Sequence, residues 1–149
     1  MHKLVSAVLA LAIALSVAGC ASKKQSPLDK MDAAFDDVRA EVQSVVTDPE
    51  RAAQADELIH QLQQTYTSTT KSIQLRKDRL RELDEDYDAS RTDMEEQLEL
   101  ILTDLQANQQ TVLKISDEMF SVLTNEERAE IGKARSKALN AAVAAMDAI

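Results

Sequence analysis

The sequence predicts an all-α protein, and three features predict it. Apolar residues recur at heptad spacing over long stretches. Ala, Leu, Glu, Gln, Lys and Arg, the strong helix formers, dominate. Beyond residue 19, Gly132 is the sole glycine and Phe35, Tyr66, Tyr87 and Phe120 are the only aromatics. A sheet protein needs more turn glycine and more β-branched alternation. The expected architecture is about four helices: an elongated, coiled-coil-like antiparallel hairpin flanked by a helix at each end.

The amino terminus precedes that fold. His2 and Lys3 give a short charged start, Leu4 to Val17 is apolar apart from serines, and Val17-Ala18-Gly19-Cys20 follows. This reads as a secretory signal over residues 1–19, too short to span a bilayer comfortably. Its ending resembles a bacterial lipobox, which implies a covalent diacylglycerol on Cys20; the other reading is an uncleaved membrane anchor with an unmodified cysteine. Cys20 is the only cysteine, so no disulfide can form within the chain. Ala21 stands where an inner-membrane retention signal usually carries Asp, so the expected location is the outer membrane, lipid-anchored and facing the periplasm. Cleavage takes one Lys with it and leaves 16 basic residues against 26 acidic, a net charge near −10. Such a surface disfavours nucleic acid and anionic headgroups.

Residues 20–26 form the lipidated cysteine and a polar tether, and 27–149 a single helical domain. The first helix opens at Ser26-Pro27-Leu28-Asp29, with Ser as cap, Pro in the first turn and an early acid. Leu28, Met31, Phe35, Val38, Val42 and Val45 then mark one apolar stripe that ends near Val46.

Ser44 to Ala52 reads SVVTDPERA, and Ser121 to Ala129 reads SVLTNEERA; six of the nine positions are identical. Thr47 to Glu50 and Thr124 to Glu127 both fit a capping box, in which the hydroxyl accepts from an N–H one turn in and the glutamate reaches back to the cap's own N–H. Each phrase is therefore expected to begin a helix.

Between the phrases, Ala52, Ile59, Tyr66, Ile73, Leu80, Tyr87, Met94 and Ile101 recur every seven residues, and after Tyr87 the supporting stripe changes phase to Leu98, Leu105, Val112 and Met119. Two architectures fit, a stutter in one rod or a chain folded back on itself. Folding about residue 87 sets Leu80 by Met94, Ile73 by Ile101 and Leu62 by Val112. Charge favours the fold: it would place Arg81 beside Asp93 and Arg79 beside Glu95. Thr92 to Glu95 offers a capping box for the returning helix, and Asp84 to Ser90 supplies turn residues. Ile131, Ala134, Ala138, Ala142, Ala145 and Ile149 give the last helix a shallow face for close approach, and the small core makes a homodimer plausible.

Val122-Leu123-Thr124-Asn125-Glu126-Glu127-Arg128 resembles the LTxxQ-type motif of the Spy/CpxP family of periplasmic helical proteins, which carry it twice near helix starts. Val46-Thr47-Asp48-Pro49-Glu50-Arg51 stands as the first copy, with Val46 for the family's Leu, and Glu50 and Glu127 where Gln is usual. The family's chaperones are typically basic and soluble, whereas this chain is acidic. The resemblance implies an ATP-independent chaperone or envelope-stress adaptor with unfolded clients or an envelope protein as partner, and Thr47, Glu50, Arg51, Thr124, Glu127 and Arg128 as its motif residues.

Enzymatic chemistry finds little material. His60 is the only histidine after residue 19, and zinc needs several His or Cys partners. Glu82, Asp84, Glu85, Asp86 and Asp88 lack the glycine and spacing of an EF-hand. No catalytic residue, metal or cofactor is therefore expected beyond the lipid on Cys20. The rival reading is a scaffold lipoprotein whose coiled coil docks an envelope partner. It would not be of the murein-linked type, because Met146-Asp147-Ala148-Ile149 carries no terminal lysine.

Overall fold

The computed structural model describes residues 25–148. The signal segment, Cys20 and most of the tether lie outside the described residues, as does Ile149. Four helices follow one another: α1 (Pro27–Val45), α2 (Pro49–Glu85), α3 (Arg91–Val122) and α4 (Asn125–Asp147). No residue among those described has positive φ, so every corner is turned by capping side chains and not by glycine.

Each start has a chemical cause. Ser26 Oγ accepts from the Asp29 N–H at 3.1 Å while Asp29 accepts from the Ser26 N–H at 3.0 Å, and Pro27 takes the position where a missing N–H costs nothing. At the hairpin tip the Asp86 carboxylate accepts from the Asp88 N–H at 3.0 Å and the Asp86 carbonyl from the Ala89 N–H at 3.1 Å. The reversal thus closes within four residues, and α3 begins earlier than Thr92 to Glu95 suggests. Its cap is Ser90, with Asp93 completing the box at 3.2 and 3.0 Å.

The chain reverses at the acidic midpoint. Ser72 donates to Asp104 at 2.6 Å and Asn108 to Thr69 at 2.9 Å, which puts the midpoint nearer residue 88 than 87. The charge register is different from the one expected. Arg79 pairs with Glu82 and Arg81 with Asp78, both within α2, because partners one turn away on the same helix need no alignment of two arms. Tyr87 is fully exposed in the turn, not part of the heptad seam.

The outer helices pair with each other. α1 packs along α4 and also against α2, and Lys137 of α4 donates to Asp37 of α1 at 2.6 Å. Ala138, Ala142 and Ala145 are buried, so the shallow face of α4 is where α1 lies. Arg39 clamps Asp56 with two bonds of 2.9 and 3.0 Å, tying α1 to α2 and holding the Asp56 carboxyl below its usual range. One apolar core results, built on Met31, Phe35, Val38 and Val42 of α1, Ile59, Leu62 and Tyr66 of α2, Ile115 and Met119 of α3, and Ile131 of α4. The Phe35 and Tyr66 rings lie 6.2 Å apart at its centre.

This core fills only the half of the hairpin near the two repeated phrases. Farther out, α2 and α3 continue as a pair whose seam combines the buried Ile73 and Leu83 with polar contacts, Asn108 to Thr69 and Ser72 to Asp104. α3 is consequently the least covered helix, with Ile115 and Met119 its only fully buried residues.

Candidate functional site

The two repeated phrases meet at one corner, and their shared geometry starts from a difference. At the second copy Thr124 is the cap, as the sequence predicts: its Oγ accepts from the Glu127 N–H at 3.2 Å, and Glu127 Oε2 accepts from the Thr124 N–H at 2.8 Å. At the first copy Thr47 is not the cap. Proline disfavours helical backbone in the residue before it, so Pro49 fixes Asp48 as the extended cap, with φ −81° and ψ 118°. Asp48 Oδ1 then accepts from the N–H groups of Glu50 and Arg51 at 2.9 and 3.0 Å. Thr47 and Glu50 are exposed and form no capping box.

The frame moves by one residue, and Arg51 takes the third helical position that Glu127 holds at the other copy. From there it reaches across. Arg51 Nη1 donates to Glu127 Oε2 at 2.7 Å and to the Val122 carbonyl at 3.2 Å, while Nη2 donates to Glu127 Oε1 at 2.9 Å. Glu127 thus closes its own helix start and grips the start of α2 with one carboxylate. Its side chain keeps only 11% of its surface exposed. The Arg51 guanidinium, helped by the Thr124 N–H, holds the Glu127 carboxyl down at about 2, and the same pairing raises Arg51.

Arg128, the counterpart of Arg51, turns elsewhere. Its guanidinium bonds to Asn125 and the Thr124 carbonyl and lies 4.9 Å from the centre of the Phe120 ring. Arg135 stands over the same ring at 5.9 Å and donates to Ser116 at 3.1 Å. Of the motif residues, then, Arg51, Thr124 and Glu127 form one cluster, Arg128 sits beside it, and Thr47 and Glu50 take no part. Asp48 was missed from sequence although the Asp-Pro dipeptide signals it.

Phe120 ends a second feature. Leu98, Leu102, Leu105, Leu113 and Phe120 recur at helical spacing on one face of α3 and are all exposed, Leu102 by 59% and Leu113 by 58%. The face is about 33 Å long at the helical rise. From Leu98 to Leu113 it is uncovered because α3 packs there mainly against α2, and at its end Phe120 lies under the α4 guanidiniums of Arg128 and Arg135. Isolated exposed leucines need no explanation, but an aligned row of this length marks a surface suited to binding.

His60 Nε2 lies 2.8 Å from the Gln64 amide nitrogen. Among the described residues no three His, Cys, Asp or Glu side chains are grouped to hold a metal ion, and no helix is long and apolar enough to cross a membrane. Cys20 lies outside the described residues. Compared with protein-family models, curated proteins and solved structures, the chain finds no match.

Proposed function

We propose that this protein is a lipid-anchored periplasmic protein that acts as an ATP-independent chaperone of the Spy/CpxP type, holding unfolded clients against α3. The observation that carries this reading is the exposed row Leu98, Leu102, Leu105 and Leu113, ending at Phe120. An unfolded segment can bury its apolar side chains there without any nucleotide-driven step, because the surface is already open. The Arg51–Glu127 corner serves as a brace in this scheme: it fixes where α3 ends and α4 begins, so that α4 meets the row only at Phe120, through Arg128 and Arg135. The proposed lipid on Cys20 would tether the domain outside the cytoplasm.

The test adds the purified full chain to an aggregating substrate protein and follows light scattering. Suppression is expected from the natural sequence and its loss from Leu102→Asp combined with Leu113→Asp, both at exposed positions where the fold tolerates a charge. No suppression at several-fold molar excess would sink the chaperone reading. Mass spectrometry of the membrane-extracted chain tests the anchor separately, with a diacylglycerol adduct expected on an amino-terminal Cys20.

A scaffold role is the second reading, favoured by Tyr87, an aromatic fully exposed at the hairpin tip among Asp84, Glu85, Asp86 and Asp88. Tyrosine is enriched where one protein docks on another. That reading predicts an envelope partner whose crosslinking is lost in Tyr87→Ala and retained in the α3 double variant.

A further inference from the structure

The exposed side of α3 reads alike from either end. Leu98, Leu102, Leu105, Gln109, Leu113, Ser116 and Phe120 follow one another at steps of 4, 3, 4, 4, 3 and 4, a spacing that mirrors itself about Gln109. Steps of three and four keep to one side of a helix, so these residues form one line. Turned end for end, the line sets Leu98 on Phe120, Leu102 on Ser116, Leu105 on Leu113 and Gln109 on itself. Its four leucines and Phe120 are each between 39% and 59% exposed, and Gln109 is exposed at the centre.

Charge along the helix has a matching asymmetry. The start of α3 carries Asp93, Glu95, Glu96 and Glu99 against Arg91 alone. At the other end Lys114 pairs with Glu118 at 3.9 Å, Asp117 is the remaining acid, and the α4 guanidiniums of Arg128 and Arg135 stand over Phe120 at 4.9 and 5.9 Å. Those two guanidiniums bond to Asn125, the Thr124 carbonyl and Ser116, none of them an acid. An occupant of the whole line therefore needs apolar residues at the mirrored spacing, a cationic end for Leu98 and an acidic end for Phe120. The chain itself meets all three conditions when a second copy lies antiparallel.

We propose that two copies of this chain pair through the α3 line as an antiparallel, two-fold dimer centred on Gln109. Leu98 of each copy meets Phe120 of the other, and Leu105 meets Leu113. The two Gln109 amides, each both donor and acceptor, bond across the axis and fix the register, as a single polar residue does in a coiled-coil seam. Glu95 and Glu99 come to the end that carries Arg128 and Arg135, whereas parallel copies would set acid on acid. The half-exposed surfaces of five large apolar side chains in each copy amount to roughly 1,000 Å2 over the pair, the lower bound for a specific interface. The net negative charge of each chain opposes association, so the dimer is weak and the row stays open in dilute solution. A second copy and a client compete for this row, but the pairing does not rest on the chaperone reading, because it is tested without any client.

Sedimentation equilibrium of the chain from residue 20, carrying Cys20→Ser and all four helices, is expected to show a monomer–dimer equilibrium with a dissociation constant of about 10–100 μM, the scale of a small interface. Leu113→Asp loses its contact twice by symmetry and is expected to weaken the dimer at least about hundredfold. Gln109→Lys, exposed in the single chain, sets like charges on the axis and is expected to weaken it about fivefold. Circular dichroism is expected to show the same helix content in both variants. Single cysteines report the orientation. Gln109→Cys is expected to form a disulfide with its own counterpart under mild oxidation. Leu98→Cys is not, since antiparallel copies hold the two about 33 Å apart, but it is expected to cross-link when mixed with Phe120→Cys. A monomer at every concentration up to about 1 mM, a dimer that survives Leu113→Asp, or a Leu98→Cys disulfide with itself would each overturn the pairing. Suppression of aggregation by a strictly monomeric chain would keep the client reading and still overturn the pairing.

Discussion

The two copies of the repeated phrase begin with the same threonine and carry the same Glu-Arg, yet they finish with different jobs. At the second, Thr124 and Glu127 close a capping box; at the first, Asp48 caps and Thr47 is left in solvent. The cause is Pro49 against Glu126. Proline holds the residue before it out of helical backbone, so α2 starts one residue later in the phrase than α4 does. A one-residue offset in a helix is a rotation of about 100°. That rotation aims Arg51 across the corner at Glu127, while Arg128, the same letter of the phrase, turns to Phe120. Near-identical segments therefore interlock because they are out of frame; two copies in the same frame would each have closed on themselves.

The comparison breaks most severely at Glu127. Glu127→Ala removes the partner of Arg51 and the reach-back to Thr124 together, and it is expected to lower the thermal midpoint further than any other single change at the corner. Because the folded-state carboxyl sits near 2, against an ordinary value of 4.5, the unfolded chain takes up the proton first as pH falls. The stabilisation this group provides is complete above about 4.5 and is lost as pH drops toward about 2. Denaturant titrations across that window are expected to decline in the natural chain, and the decline is expected to be shallower in Glu127→Gln.

The caps come next in size. Asp48→Ala and Thr124→Ala are each expected to cost about 1 kcal/mol of unfolding free energy, the usual worth of a cap. Thr47→Ala, by contrast, is expected to stay within about 0.5 kcal/mol of the natural chain, as for surface positions without partners. A finer test rewrites the first copy in the second's letters. Asp48→Asn with Pro49→Glu is expected to move the cap to Thr47, visible as new protection of the Thr47 amide by the Glu50 carboxylate in hydrogen exchange, and Thr47→Ala then costs about 1 kcal/mol in that background. A silent Thr47 in the rewritten chain would mean that the frame is set by tertiary contacts and not by proline.

Much of the helical layout was legible in the residues. Ser26-Pro27, the stripe from Met31 to Val42 and the Thr124 box identify α1 and the start of α4 because capping and periodicity are local properties. The hairpin was legible as one of two architectures. Its charge register was not, since Arg79 and Arg81 have acids within reach on their own helix and nothing in the spacing says which partner wins. Tyr87 fell into the seven-residue rhythm by number alone; the turn at Asp86 takes it out of the seam. The uncovered row on α3 was hidden for a similar reason. Leu98 and Leu105 read as seam residues, and only the packing of α3 against a single neighbour leaves them in water.

By itself, then, the sequence determined that the chain is helical, where two of its four helices start, and that an acidic segment divides the long apolar repeat. Those follow from interactions spanning four residues or fewer and from the sign of side-chain charge. Tertiary structure alone decided which face of each helix is covered, that α1 lies on the alanines of α4, and that Arg51 meets Glu127 instead of an acid nearby. An apolar stripe states that a face resists water without naming what will cover it, and a guanidinium accepts any carboxylate in reach. Those choices are made when the helices pack.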